Sequence, residues 1–277
     1  MRDTDGFSHY PLPMANHILV TGSAGRIGRA VVNALVAHRL PVIGYDLMPT
    51  PGLGPEQCKT GTLGNASLLQ KAAEGARCII HLAATPDDSR FPRGEAPDDG
   101  DNFLTEIVPN NIVGTYHVME AARKADVSRV ILASTGQVID GHLRAGRIPV
   151  NSATPPEPRY LYACGKVFLE AIGQVYSRQH GMTVLAVRLG WCPRPGQEEE
   201  FRQSEMGPNV YLSPDDAGRF FLAVVESKSL PKFSIVYATS KPVNREIYDM
   251  AETTRITGYV PHDMWSHGDP VASSNPL

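Results

Sequence analysis

The apolar positions of this chain follow two alternating rhythms. Short continuous runs occur at residues 17–21, 41–46, 76–84, 130–133, 183–187 and 234–238. Each has strand length, and a run apolar on both faces suits a strand buried in a parallel sheet. Between the runs, apolar residues recur every three or four positions. Ile27, Ala30, Val31, Ala34 and Leu35 do so within 26–39, and 66–75, 113–125 and 162–180 read as further helices. Ser213-Pro214-Asp215-Asp216 resembles a helix start, followed by an apolar face of Phe220, Phe221, Val224 and Val225. Strands alternating with helices predict an α/β fold: a doubly wound parallel sheet, the Rossmann fold, with right-handed crossovers.

Two stretches break the alternation. Residues 86–106 are rich in Asp, Pro and Gly and predict a long loop. Such a loop is either a lid over a pocket or a solvated surface segment. Residues 193–207, rich in Pro, Glu and Gln, predict a second loop or a short irregular lobe. Residues 1–16 read as a loose leader, and the Pro- and Ser-rich end from 268 as a fraying tail.

Composition narrows the class of function. A 42% hydrophobic content is ample for one large domain core. The net charge is −3 and Lys and Arg form no dense run, so neither nucleic acid nor an anionic membrane is an expected partner. No apolar run approaches the ~20 residues that span a bilayer, and the first residues lack a signal-peptide pattern. Cys58, Cys78, Cys164 and Cys192 are scattered, with no CxxC pair. That usage predicts a reduced, cytoplasmic protein without a metal site.

The first candidate chemistry is a turn. Gly22, Gly25 and Gly28 form a GxxGxxG pattern after a strand and at the start of a helix. Gly22 permits a tight turn, Gly25 lets backbone approach a pyrophosphate, and Gly28 lets helix pack on strand. The helix start then offers free N–H groups to the phosphates. Asp46 closes the next strand and can accept hydrogen bonds from ribose hydroxyls. It would repel the extra phosphate of NADP, so the expected cofactor is NAD. The competing reading is a Gly-rich turn and an Asp that merely starts a loop.

The second candidate is Tyr162-Ala163-Cys164-Gly165-Lys166. Four residues apart on a helix puts phenol and ammonium on one face. A nearby cation favours phenolate, which makes Tyr162 a candidate general base or acid. Ser134 and Thr135 close the strand beginning at 130, at the end where open α/β sheets bind ligands. One of the two hydroxyls could hold a reacting oxygen.

Together with His81-Leu82-Ala83-Ala84 and Asn111 with Gly114-Thr115, these motifs resemble the extended short-chain dehydrogenase/reductases, the NAD-dependent epimerase/dehydratase group. The likeness covers residues 17–190. Arg188-Leu189-Gly190 and the remainder are most similar to the uronate dehydrogenases of that group, which oxidise hexuronic acids at C1 to lactones with NAD. The resemblance implies catalytic roles for Thr135, Tyr162 and Lys166. It implies a cofactor site from Gly22, Gly25, Arg26, Ile27, Gly28 and Asp46, with Leu63, Leu82, Ala83, Ala84 and Asn111 beside Tyr162 and Lys166. On the substrate side it implies Thr85, Thr135, Gly136, Gln137 and Arg188. Arg188 has an equal alternative as a strand-end arginine in a structural salt bridge. Where the uronate enzymes carry Asn-His after the catalytic hydroxyl, this chain has Gly136 and Gln137.

The expected organisation is a leader over 1–16, an NAD-binding Rossmann domain over 17–190, and a small substrate lobe over 191–277 packed on it. The expected function is hydride transfer between NAD and a hydroxyl-bearing carbon of a sugar, uronic acid or polyol. Alternatives are an epimerase or dehydratase on a nucleotide sugar and a non-catalytic NAD-binding regulator. The family also implies a homodimer, through the helices at 113–125 and 162–180.

Overall fold

Residues 16–86 and 102–266 are described in a computed structural model of the chain. The expectations for the leader up to 15, for 87–101 of the long loop and for the tail lie outside them.

The apolar runs pair into a single parallel sheet because each is apolar enough to be covered twice. β1 (His17–Thr21) is buried along its whole length. It lies between β2 (Val42–Asp46) and β4 (Ala76–His81), and β3 (Cys58–Thr60) adds an edge beyond β2. On the other side follow β5 (Arg129–Thr135), β6 (Thr183–Leu189) and β7 (Phe233–Ala238), giving the order β3-β2-β1-β4-β5-β6-β7.

Alternate residues of each strand enter different cores. Leu19, Ile79, Val130, Leu132 and Val184 pack under α2 (Ala66–Ala73), α3 (Gly114–Lys124) and α5 (Leu161–His180). Ile18, Val20, Cys78, Ile80, Ile131 and Leu185 pack under α1 (Arg26–Ala37) and α7 (Pro214–Glu226). α1 and α7 touch closely at Gly218, where a Cβ would lie 3.0 Å from Ala34 Cβ. The helix ends carry local signals: the Ser213 hydroxyl accepts from Asp216 N with Pro214 following, and Gly181 closes α5 at φ 67°.

The structure departs from the sequence reading in four places. β3 has no apolar signature and was not expected. The described end of the 86–106 loop is helical: a wide π-helix, Phe103–Val113, runs directly into α3. A short helix, α6 (Glu198–Gln203), forms where a second loop or short irregular lobe was expected, and another, α4 (Asp140–Arg144), forms in a stretch with no predicted element. Residues beyond 190 supply β7 and α7 to the sheet and its cover. What remains of a lobe there is 191–213, α8 (Ala251–Thr257) and the segments around it.

Candidate functional site

Strand order reverses between β1 and β4, which opens a crevice at their carboxyl ends. The glycine turn sits in that crevice. Gly22 has φ +71°, and a Cβ there would lie 2.6 Å from Ala83 N. A Cβ on Gly28 would lie 2.0 Å from the Gly22 carbonyl oxygen, so neither position has room for a side chain. Gly25 is exposed and starts α1 with no side-chain cap among the described residues and no acidic residue in the first turn. The first N–H groups and the positive dipole end are thereby left for an anion.

Arg26 donates from Nη2 to the Cys192 carbonyl, while its buried Nε has no hydrogen-bond partner among the described residues. Burial lowers its pKa, and Arg194 nearby adds to the effect. An uncapped helix start beside an under-bonded guanidinium fits a dinucleotide pyrophosphate. Ile27 packs beside Cys192 and Leu212.

Asp46 is half-buried at the end of β2. Its Oδ2 accepts from Ala24 N at 3.0 Å and its Oδ1 from Leu47 N at 2.7 Å. Leu63 is buried against Gly114, where a Cβ would lie 2.7 Å from its side chain. Leu82, Ala83 and Ala84 are half-buried at the end of β4.

A buried polar chain joins this side to the helices. Ala83 N donates to Thr21 Oγ1 at 3.4 Å, and Thr21 Oγ1 meets His81 Nδ1 at 2.8 Å. His81 Nε2 meets Thr115 Oγ1 at 3.3 Å, and Thr115 donates to the Asn111 carbonyl at 2.6 Å. All bonds are satisfied if neutral His81 carries its proton on Nε2. Burial, with the Lys166 charge nearby, pushes the His81 pKa down to about 3.

Asn111 turns both ends of its amide to one residue. Its Oδ1 accepts from Thr85 N and its Nδ2 donates to Thr85 O, both at 2.8 Å, while Asn110 Nδ2 donates to the Thr85 hydroxyl at 2.8 Å. The wide turns of the π-helix present both asparagines; such turns are frequent at functional sites.

At the end of β5 the two candidate hydroxyls separate. Ser134 Oγ donates to Glu170 Oε1 at 2.6 Å inside the protein. Thr135 is half-buried and accepts from Gln137 N at 3.3 Å. On α5, Lys166 is buried and donates from Nζ to the Ala133 carbonyl at 2.8 Å. Its Nζ lies 5.7 Å from the centre of the half-buried Tyr162 ring. Burial pulls the Lys166 pKa down to about 8.

Arg188 does not open toward these groups. It is 0% exposed and bonds both carboxylate oxygens of Glu170, the Tyr237 hydroxyl and the Thr154 carbonyl. This geometry matches the salt-bridge alternative. Burial alone would lower its pKa, but the bonds to Glu170 outweigh that and raise it. Gly136 is buried where a Cβ would lie 2.1 Å from the Tyr248 hydroxyl, and Gln137 is half-buried.

Sequence reasoning did not single out Glu170, Thr21 or Trp191. The first two act through partners distant in the chain. Trp191 had a signal, its place just past a strand whose end was already a candidate. Among the described residues no helix is long and apolar enough to cross a membrane. No group of three or more His, Cys, Asp or Glu among them could hold a metal ion.

Comparison with known proteins gives a consistent picture. The profile of the NAD dependent epimerase/dehydratase family matches residues 18–210. The L-arabinose 1-dehydrogenase (NAD(P)(+)) of Haloferax volcanii is 32% identical, covering 89% of this chain and 96% of the relative. A uronate dehydrogenase of Pseudomonas putida is 28% identical over 90% of this chain and 84% of its own. The crystal structure of uronate dehydrogenase from Agrobacterium tumefaciens is similar at TM-score 0.69 and 25% identity, covering 90% of this chain and 85% of that one.

Proposed function

The chain belongs to the NAD dependent epimerase/dehydratase family, and from that premise we propose that it is an NAD-dependent dehydrogenase oxidising a hydroxyl-bearing carbon of a sugar or sugar acid. The sugar and uronate dehydrogenases among its relatives support this reading. The observation that carries it is the bond from Lys166 Nζ to the Ala133 carbonyl. That bond ties the helix bearing Tyr162 to the end of the strand bearing Thr135.

In this reading the uncapped start of α1 and Arg26 hold the pyrophosphate, with Gly22, Gly25, Ile27 and Gly28 shaping the turn. Asp46 accepts from ribose hydroxyls, and Leu63, Leu82, Ala83 and Ala84 flank the adenosine side. When bound, NAD supplies the hydride acceptor. Thr135 donates to or accepts from the reacting oxygen and fixes its direction. Tyr162 takes the hydroxyl proton as the carbonyl forms. The Lys166 charge favours the phenolate needed for that step. Thr85 and Gln137 border the substrate, and Asn111 is a positioning residue acting through Thr85. Gly136 keeps Tyr248 close to the strand end. The enzyme works in the cytoplasm as a homodimer through α3 and α5, whose Tyr116 and Val175 are 47% and 45% exposed.

The test is to mix the protein with NAD and a panel of aldoses, uronates and nucleotide sugars. Net accumulation of NADH is the expected outcome; product without net NADH would mean an epimerase. Tyr162→Phe should lose about 10²–10⁴-fold in turnover while its melting temperature still rises with NAD. A Phe variant with full turnover would remove the assigned role.

A further inference from the structure

Both tryptophans of the chain, Trp191 and Trp265, stand in one cluster of four aromatic rings. Ring centres lie 5.0 Å apart for Trp191 and Phe201, 4.6 Å for Phe201 and Trp265, and 5.1 Å for Tyr211 and Trp265, all edge to face. Phe201 and Trp265 are buried, whereas Trp191 and Tyr211 are half-buried. The outer pair is therefore the less covered side of the cluster and the inner pair its backing, and Trp191 also packs toward the cluster of Val138 and Tyr248 beside Gly136.

The main chain of Trp191 is held firmly. Its N–H donates to the Val210 carbonyl at 2.7 Å, and its carbonyl accepts from Leu212 N at 2.9 Å. Before it, Gly190 is so confined that a Cβ would lie 2.4 Å from the Val210 oxygen. After it, the Cys192 carbonyl is bonded by Arg26, the first residue of α1. Two residues earlier, Leu189 pairs with Thr135 across β5 and β6. Trp191 thus stands at the carboxyl end of the sheet, between the strand carrying Thr135 and the helix that opens the phosphate turn.

We propose that Trp191, backed by Phe201, Tyr211 and Trp265, is the wall on which the substrate ring stacks, and that it selects a neutral aldose over a uronate. The proposal rests on the dehydrogenase reading of the same site. A sugar ring carries hydroxyls at its rim and C–H bonds on its faces. Polarised C–H bonds are attracted to the negative face of an indole. A carboxylate is repelled by that face and loses water without gaining a partner. Planar recognition of a carboxylate calls for a guanidinium fork. The arginine of this strand end, Arg188, is fully committed to Glu170, Tyr237 and Thr154. Gly136 and Gln137, next to Thr135, bring no charge. Arg26 stands at the start of α1, where the dehydrogenase reading gives it the pyrophosphate, and Arg194 is near enough for its charge to act on Arg26.

Because the chain has two tryptophans, both in this cluster, its indole fluorescence reports on the wall directly. In a Tyr162→Phe background with saturating NAD, L-arabinose or D-galactose should change the emission saturably, and D-galacturonate should need a higher concentration. Trp191→Phe should keep most of the affinity. Trp191→Leu, folded by circular dichroism, should raise the KM for L-arabinose or D-galactose about tenfold or more with the KM for NAD little changed. Tighter binding of galacturonate than of either aldose would overturn the proposal, as would an unchanged sugar KM in Trp191→Leu. If wild-type protein reduces NAD with none of the sugars, the dehydrogenase reading itself fails. If it oxidises them and Trp191→Leu behaves as wild type, only the stacking wall fails.

Discussion

Glu170 grips Arg188 through both carboxylate oxygens, with Nε to Oε1 at 2.9 Å and Nη2 to Oε2 at 3.0 Å. The pair joins α5 to β6, and the same carboxylate takes the Ser134 hydroxyl from β5. Arg188 continues to Tyr237 on β7. One turn before Glu170 on α5 is Lys166, and one turn before that is Tyr162. The ion pair therefore sets the depth and rotation of the helix that carries the proposed acid/base group.

Removing one partner should be costly, because the other is left charged in the core. Arg188→Met and Glu170→Met should each lose about 3–5 kcal/mol of stability. Combining an apolar residue at both positions should recover much of that loss. Urea denaturation as a double-mutant cycle measures the coupling. Single variants that cost under about 1 kcal/mol, the range of exposed pairs, would mean that the pair does not hold the helix.

Lys166 gives the fold a pH dependence with a definite sign. Its pKa falls from 10.5 to about 8 because burial penalises the charged form. Between those two values the unfolded chain binds a proton that the folded chain does not. Stability must then rise with pH across that window. The lowered pKa is worth on the order of 3 kcal/mol, at about 1.4 kcal/mol per pKa unit. Urea midpoints of the protein without cofactor, taken from pH 7.5 to 10, should show this rise on top of other titrations. Lys166→Met should lack it. The same slope in both proteins would place the titration elsewhere.

What was legible in the sequence was what is local. The glycine turn shows because Gly22, Gly25 and Gly28 all lie within one strand-to-helix junction. Tyr162 and Lys166 show because one helical turn fixes their spacing. β3 did not show, since Cys58, Lys59 and Thr60 are an edge strand that exists through pairing with Gly44, Tyr45 and Asp46. The helix beginning at Phe103 was hidden by Pro109 and by the polar run before it, because a wide helical turn has no familiar period. Arg188 was ambiguous because its partners lie on α5, on β7 and at Thr154. The aromatic wall was invisible for the same reason: Trp265 meets Phe201 only after the sheet has formed. Tertiary contacts decide such features, and periodicity cannot reveal them.

In the proposed reading, Asp46 faces the adenosine ribose and sets the choice between the two nicotinamide dinucleotides. Its carboxylate is fixed by Ala24 N and Leu47 N, so it cannot swing aside without breaking both bonds. The next residues, Leu47 and Met48, are exposed and apolar and bring no cation for a ribose phosphate. A second negative charge within about 4 Å of Asp46 would cost about 1 kcal/mol in water and about 4 kcal/mol near a protein surface. NAD should therefore raise the melting temperature more than NADP at equal concentration, and kcat/KM should favour NAD by about tenfold or more. Asp46→Ser with Leu47→Arg removes the repulsion and adds a guanidinium, so it should bring the two cofactors level or reverse their order. Equal kcat/KM with the two cofactors in the wild-type chain would overturn the prediction. A larger thermal shift with NADP than with NAD in the wild-type protein would show that the Asp46 carboxylate does not face the adenosine ribose.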